Sequence, residues 1–151
     1  MTDVTELKNT KGKILGVDFG DVRTGLAVSD PTRFLASGLY YVSPGGIEKT
    51  ADKVAEVAKE QRVGAVVVGL PVNMDGSLGF RSERVKEFAD LLRARLDGIP
   101  VVLYDERMST MEASRYLGET GTHGKKRKGV IDTLSAQIIL QNALDKLKNT
   151  H

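Results

Sequence analysis

The chain has 151 residues, 40 % of them apolar and 28 % charged, with a formal net charge of +2. That length suits one domain able to bury roughly 68–70 % of its unfolded surface without a covalent staple, and the composition is far from that of disordered chains. Cysteine is absent, which excludes disulfides, thiolate zinc sites and a cysteine nucleophile and fits a reducing compartment. Met1 to Lys11 is polar without an apolar core, and no apolar run approaches the ~20 residues of a membrane span. The expectation is a cytoplasmic protein with no membrane contact.

Residues 1–12 read as a flexible arm and 13–148 as one domain. Ile14 to Phe19 reads as a strand ending in a Gly-rich turn, Leu26-Ala27-Val28 resumes extended structure, and Phe34 to Val42 is a third strand. These runs are close enough for an antiparallel meander. Ile47, Ala51, Val54 and Ala58 recur at helical spacing and predict a helix over Ile47 to Gln61. Ala65 to Val68 is a short apolar run typical of a strand buried on both faces. Gly69 to Gly76 is a loop, Phe80 to Leu96 a second helix, and Val101 to Tyr104 another buried strand. Ser109 and Glu112 form a capping box for a short helix that stops near Gly118. The basic run His123 to Lys128 reads as a loop, and Val130, Leu134 and Ile138 open a last helix ending near Lys148. A meander followed by helix–strand alternation predicts an α/β fold: a mixed sheet with helices on its faces.

Three carboxylates stand out. Asp18 ends the first strand, Glu106 follows Val101–Tyr104 by two residues, and Asp132 falls in the first turn predicted for the last helix. If the first and last strands are neighbours, their carboxyl ends share one sheet edge, where open α/β sheets bind ligands. Three hard oxygen ligands suit Mg²⁺ or Mn²⁺ rather than zinc, and such ions serve phosphodiester hydrolysis. Each residue also has an ordinary reading: Asp18 as a turn former, Glu106 as a solvated loop residue, Asp132 as a complement to the helix dipole.

Four blocks in order resolve more. They are Gly16-Val17-Asp18-Phe19-Gly20-Asp21-Val22-Arg23-Thr24-Gly25-Leu26-Ala27, Gly69 to Gly76, Asp105 to Thr110, and Ile131 to Leu140. With these, from about Lys13 to Leu147, the chain resembles the YqgF family of Holliday junction resolvases, also described as pre-16S rRNA nucleases. The resemblance implies a ribonuclease H-like fold: a five-stranded mixed sheet, its first three strands antiparallel, with helices on both faces. It also implies an acidic triad of Asp18, Glu106 and Asp132, with Asp18 as the central metal ligand. Ser135 stands where the family usually has the first of two alanines, and it is small enough to keep helix and sheet close. Related resolvases carry a fourth ligand one turn before the last Asp; here the nearby positions are Lys128 and Gly129. One firmly held Mg²⁺ or Mn²⁺, with a second recruited by substrate phosphate, is the resulting expectation.

Arg23, Asn73, Arg107, Lys125, Lys126, Arg127 and Lys128 are the candidate nucleic-acid contacts. Arg23 matches an arginine of the family and suits a phosphate, although it also reads as a surface turn residue. Asn73 lies in a loop after a buried strand, where a ligand loop is expected, yet Asn is a common turn former. Arg107 fits a phosphate or an ion pair with Asp105. The run Lys125–Lys128 precedes Asp132; charge runs are usually solvated, but beside a phosphodiester site they grip the backbone. Low aromatic content predicts no stacking platform for single strands.

The expected activity is metal-dependent endonuclease cleavage of structured nucleic acid, with pre-16S rRNA favoured over a four-way DNA junction. A nucleotide-dependent phosphotransferase would need a second domain and a second Asp-x-Gly block. A non-catalytic RNA-binding module has no use for the acidic triad. No helix shows a spare apolar face, so a monomer or weak homodimer is expected.

Overall fold

The structure, a computed structural model, describes residues 4–73, 75–105 and 124–148, with Thr5 and 124–132 described by backbone alone. Five strands form one sheet: β1 Ile14–Asp18, β2 Thr24–Ser29, β3 Ala36–Val42, β4 Ala65–Leu70 and β5 Val101–Asp105. Their order is β3-β2-β1-β4-β5. β1 pairs antiparallel with β2 and β2 antiparallel with β3, while β1, β4 and β5 run parallel. This is the mixed sheet the sequence predicts. The first and last strands are not neighbours, however: β4 lies between them. Their carboxyl ends still share one edge because β1, β4 and β5 run in the same direction.

Helices α1 (Ile47–Glu60) and α2 (Phe80–Arg95) cover one face and α3 (Gly124–Lys148) the other. The strand pattern dictates this sandwich. In β1, Leu15 and Val17 join the core beneath α1 and α2, and Ile14 joins the core beneath α3. In β4 all six residues are buried, as a strand covered on both faces requires.

A row of small side chains seats α3. Gly38, Ala27 and Gly16 are cross-strand partners on neighbouring strands and so face the same way. A Cβ placed on Gly16 would stand 2.7 Å from Leu140 Cβ and 3.1 Å from the Ala136 carbonyl. Thr133 Cγ2 packs directly over Gly38. Ser135 is buried, so its small side chain is accommodated in the close packing.

Two predicted elements need correction. From Val4 onward the N-terminal arm is not loose: Val4–Asn9 is a 3-10 helix whose Val4 and Leu7 are 2 % and 0 % exposed. Arg33 holds it, donating from Nε to the Gly12 carbonyl (2.7 Å), from Nη1 to the Leu7 carbonyl (2.9 Å) and from Nη2 to Thr10 Oγ1 (2.7 Å). The basic run at 124–128 is helical rather than a loop, because α3 begins at Gly124. Lysine and arginine are good helix formers, and the helix runs on through Gly129 despite the low propensity of that residue. The short helix predicted after Ser109 lies outside the described residues.

Candidate active site

Asp18 owes its position to alternation. Its neighbours Val17 and Phe19 turn toward α2, where Phe19 stacks on Phe88 with ring centroids 4.6 Å apart. Asp18 therefore faces the α3 side, half-buried at the carboxyl end of the central strand. The turn that follows is tightly braced. Gly20 has the Arg23 carbonyl against its α-carbon, leaving no room for a Cβ, and its N–H donates to Thr24 Oγ1 at 3.3 Å. Ser43 Oγ donates to the Val22 carbonyl at 2.7 Å. Arg84 of α2 pairs with Asp21 at 3.1 Å. On this side of the turn, Phe19, Gly20, Asp21, Arg81, Arg84 and Val85 line a small cleft of about 50 Å³.

The backbone of α3 brings position 132 toward Asp18. Thr133 packs on Gly38, and Gln137 and Gln141 reach Ala36, so α3 runs antiparallel to β3 and hence to β1. Position 132 continues the i, i+4 stripe of Ala136 and Leu140 that lies on Gly16. One turn back from Ala136 covers about 6 Å, and Gly16 to Asp18 covers about 7 Å. Position 132 thus reaches the end of β1. It lies in the third turn of α3 rather than the first, so the helix dipole does not account for an acidic residue there. Positions 125–128 occupy the first turn, farther out from the sheet edge.

Glu106 directly follows Asp105, the last residue of β5, and lies outside the described residues with Arg107. Among the described residues, no group of three His, Cys, Asp or Glu side chains is close enough to hold a metal ion; the side chains of Glu106 and Asp132 are not among them. Asn73 sits at the same sheet edge after β4 but closes its own turn. Its N–H donates to the Ser77 carbonyl (2.9 Å) and its Nδ2 to Ser77 Oγ (3.0 Å). The Asp75 carboxylate accepts from Ser77 N–H and Oγ at 2.9 and 2.6 Å, and these bonds hold it below the ordinary carboxylate range.

One residue near the site escapes a reading of the sequence. Asp18, Gly25 and Tyr41 are successive cross-strand partners and share the α3 face. Tyr41 reaches that face only because β3 bulges: Gly25 pairs with Tyr41 and Ala27 with Gly38, two residues on β2 against three on β3. The Arg23 guanidinium sits over the Tyr41 ring, 5.6 Å from its centroid. The signal in the sequence is the break in alternation at Leu39-Tyr40-Tyr41-Val42.

This sheet order, with a carboxylate at the end of the central strand and a helix laid across it, defines a ribonuclease H-like fold. Solved structures agree. RuvC of T. thermophilus in complex with a Holliday junction substrate superposes with a TM-score of 0.56 at 18 % identity, covering 92 % of this chain and 97 % of that one. The Fowlpox virus resolvase with its Holliday junction DNA gives 0.58 at 11 % identity, covering 89 % and 98 %. The model of the RuvX family, described as Holliday junction resolvase, matches residues 12–146. The chain belongs to this family and is a nuclease, a hydrolase of phosphodiester bonds. A relative from Halothermothrix orenii named "Putative pre-16S rRNA nuclease" is 44 % identical over 143 residues, covering 92 % of this chain and 99 % of its own. One of the same name from Clostridioides difficile is 43 % identical over 134 residues, covering 89 % and 94 %.

Proposed function

We propose that the protein is a metal-dependent endonuclease that cuts structured RNA, processing the 5′ end of pre-16S rRNA in the bacterial cytoplasm. The observation that carries this reading is the crossing of α3 over Gly16, which brings position 132 to the end of β1 beside Asp18. The relatives named for pre-16S rRNA favour RNA as substrate. The family's description favours a second reading, cleavage of a four-way DNA junction.

Asp18, Glu106 and Asp132 are the residues to hold Mg²⁺ or Mn²⁺. The donor set fits: it is all carboxylate oxygen, as these hard cations prefer, and Gly25 beside Asp18 places no side chain in the way. When bound, such an ion polarises the phosphate and eases deprotonation of water. The remaining work falls to the chain. Asp18 is held at a fixed point by the anchored Phe19 and the braced turn. Arg23 lies one residue before β2, within the reach of a phosphate at this edge. Lys125, Lys126, Arg127 and Lys128 supply positive charge along the first turn of α3 to grip the backbone, with Asn73 and Arg107 as further contacts. Hydrolysis adds water across one P–O bond, leaving one phosphate and one hydroxyl terminus. One copy of the chain contains every residue named, so a monomer or weak homodimer suffices.

The test is cleavage of a pre-16S rRNA fragment and of a four-way DNA junction, with Mg²⁺, with Mn²⁺ and with chelator. Wild-type protein should cut the RNA only with metal, and Asp18→Asn should lose at least about 100-fold in kcat while unfolding at the wild-type temperature. Cleavage by Asp18→Asn at the wild-type rate, or cleavage in chelator, would refute the proposal. Cutting of the junction alone would replace RNA by DNA.

A further inference from the structure

We propose that Tyr41 and Arg23 form a stacking subsite for an unpaired nucleobase beside the scissile phosphate. This rests on the nuclease reading above and adds to it what the substrate must present: a base free of its partner next to the cut.

The register makes the case. Asp18, Gly25 and Tyr41 lie side by side on three strands and face the same way. With neighbouring strands about 4.8 Å apart, Tyr41 stands about 10 Å from Asp18 across the sheet. The residue between them is the buried Gly25, which adds no side chain of its own to that span. A phosphate at Asp18 and the base of an adjacent nucleotide on Tyr41 fit that span.

The placement of Tyr41 depends on an irregularity of β3, the same one that lets both Leu39 and Val42 face the core beneath α1 and α2. Without the extra residue in β3, Tyr40 would oppose Gly25 and Tyr41 would turn to the other face. Bulges of this kind re-aim side chains next to active sites. The result leaves the ring 44 % exposed, and among the described residues its hydroxyl has no hydrogen-bond partner. A tyrosine kept for the core would be covered, and one kept for a bond would be paired. Instead its ring carries the Arg23 guanidinium at 5.6 Å. An arginine on an aromatic ring presents a flat, cationic surface, and aromatic and guanidinium planes are what splayed bases stack on in single-stranded nucleic acid. A platform for single strands is thus present despite the low aromatic content.

The experiment uses full-length protein and a stem-loop RNA with 2-aminopurine at the unpaired position next to the mapped cleavage site. A single-stranded 2-aminopurine oligonucleotide on Asp18→Asn protein provides a binding arm without turnover. Stacking should quench the fluorescence. Tyr41→Ala and Tyr41→Leu should lose the quench and raise KM roughly tenfold, with kcat within about twofold, as expected for one stacked base. Tyr41→Phe, which keeps the ring, should recover most of the loss. An unchanged KM, an unchanged quench in both ring-less variants, or a fall in kcat alone would overturn the proposal. Circular dichroism separates these outcomes from unfolding; if Tyr41→Ala does not fold, the Leu and Phe variants decide. If wild-type protein cuts nothing but the quench depends on Tyr41, the nuclease reading falls and the subsite stands. If wild-type protein cuts and no quench appears, the subsite falls alone.

Discussion

Replacing Gly16 by alanine should loosen the seat of α3 and carry the active site with it. The added Cβ would stand 2.7 Å from Leu140 Cβ and 3.1 Å from the Ala136 carbonyl. Neither is the far end of a flexible side chain, so relief requires movement of α3 itself by several tenths of an ångström. Overpacking of this sort costs about 1–3 kcal/mol. Lost backbone freedom in the unfolded chain returns about 0.4–1 kcal/mol. The net is a destabilisation of about 1–2 kcal/mol, a fall of roughly 2–8 °C in Tm for a chain of this size. Urea unfolding should show a lower midpoint at unchanged slope. Because position 132 is one turn from Ala136, displacement of α3 also shifts it relative to Asp18. Small misplacements of catalytic groups can cost up to about 100-fold in rate, so cleavage at saturating substrate should fall by more than the loss of folded protein explains. A Gly16→Ala protein as stable as wild type, or less stable but fully active, would refute the reasoning.

Two further outcomes test the frame around the site. Arg33→Ala should destabilise by about 1–3 kcal/mol, since it strips partners from the Leu7 and Gly12 carbonyls and from Thr10; amide hydrogen exchange should rise first in Val4–Asn9. The Asp30 carboxylate accepts from Leu35 N–H, from the Thr32 hydroxyl, and from Phe34 and Thr32 N–H, which together hold it far below its ordinary value of 3.8. A depressed carboxyl adds stability that is complete above the unfolded value and fades as pH falls below it toward the folded one. The stability gap between wild type and Asp30→Asn should therefore be constant above about pH 5 and shrink below about pH 4, as read from denaturant midpoints across that range.

Where local pattern sets structure, the sequence was readable. Strand β1 and helix α1 follow from alternation and helical spacing, and both begin where the pattern begins, at Ile14 and Ile47. The Asp18-to-Gly25 turn is legible because a carbonyl packed on an α-carbon demands glycine at Gly20. What escaped depends on distant partners. Nothing near Val4 and Leu7 shows that they are buried; the cause is Arg33, some 26 residues away from Leu7, together with the far end of α3. The start of α3 is hidden in the sequence because apolar periodicity begins only at Val130, whereas the helix extends back through Gly129 into a basic run whose propensity supports it. Tyr41 escaped because a bulge reverses which residues of β3 face the site. Of the candidate site, Asp18 could be placed on its face from strand parity alone, while position 132 required the crossing of α3.

β3 is an edge strand, and the long side chains of α3 close it. The Ala36 N–H donates to Gln141 Oε1 at 2.9 Å, Gln137 Nε2 donates to the Ala36 carbonyl at 3.2 Å, and Gln141 Nε2 donates to the Phe34 carbonyl at 3.0 Å. Lys148 reaches the same Phe34 carbonyl at 3.3 Å. The start of the strand is thus occupied by its own helix, and the bulge interrupts the remainder. An open edge with Phe34, Leu35 and two tyrosines exposed beside it would invite a strand from another copy and lead toward aggregation. The glutamines act as a hem on the sheet, so that a surface carrying this many aromatic groups does not pair with its own kind.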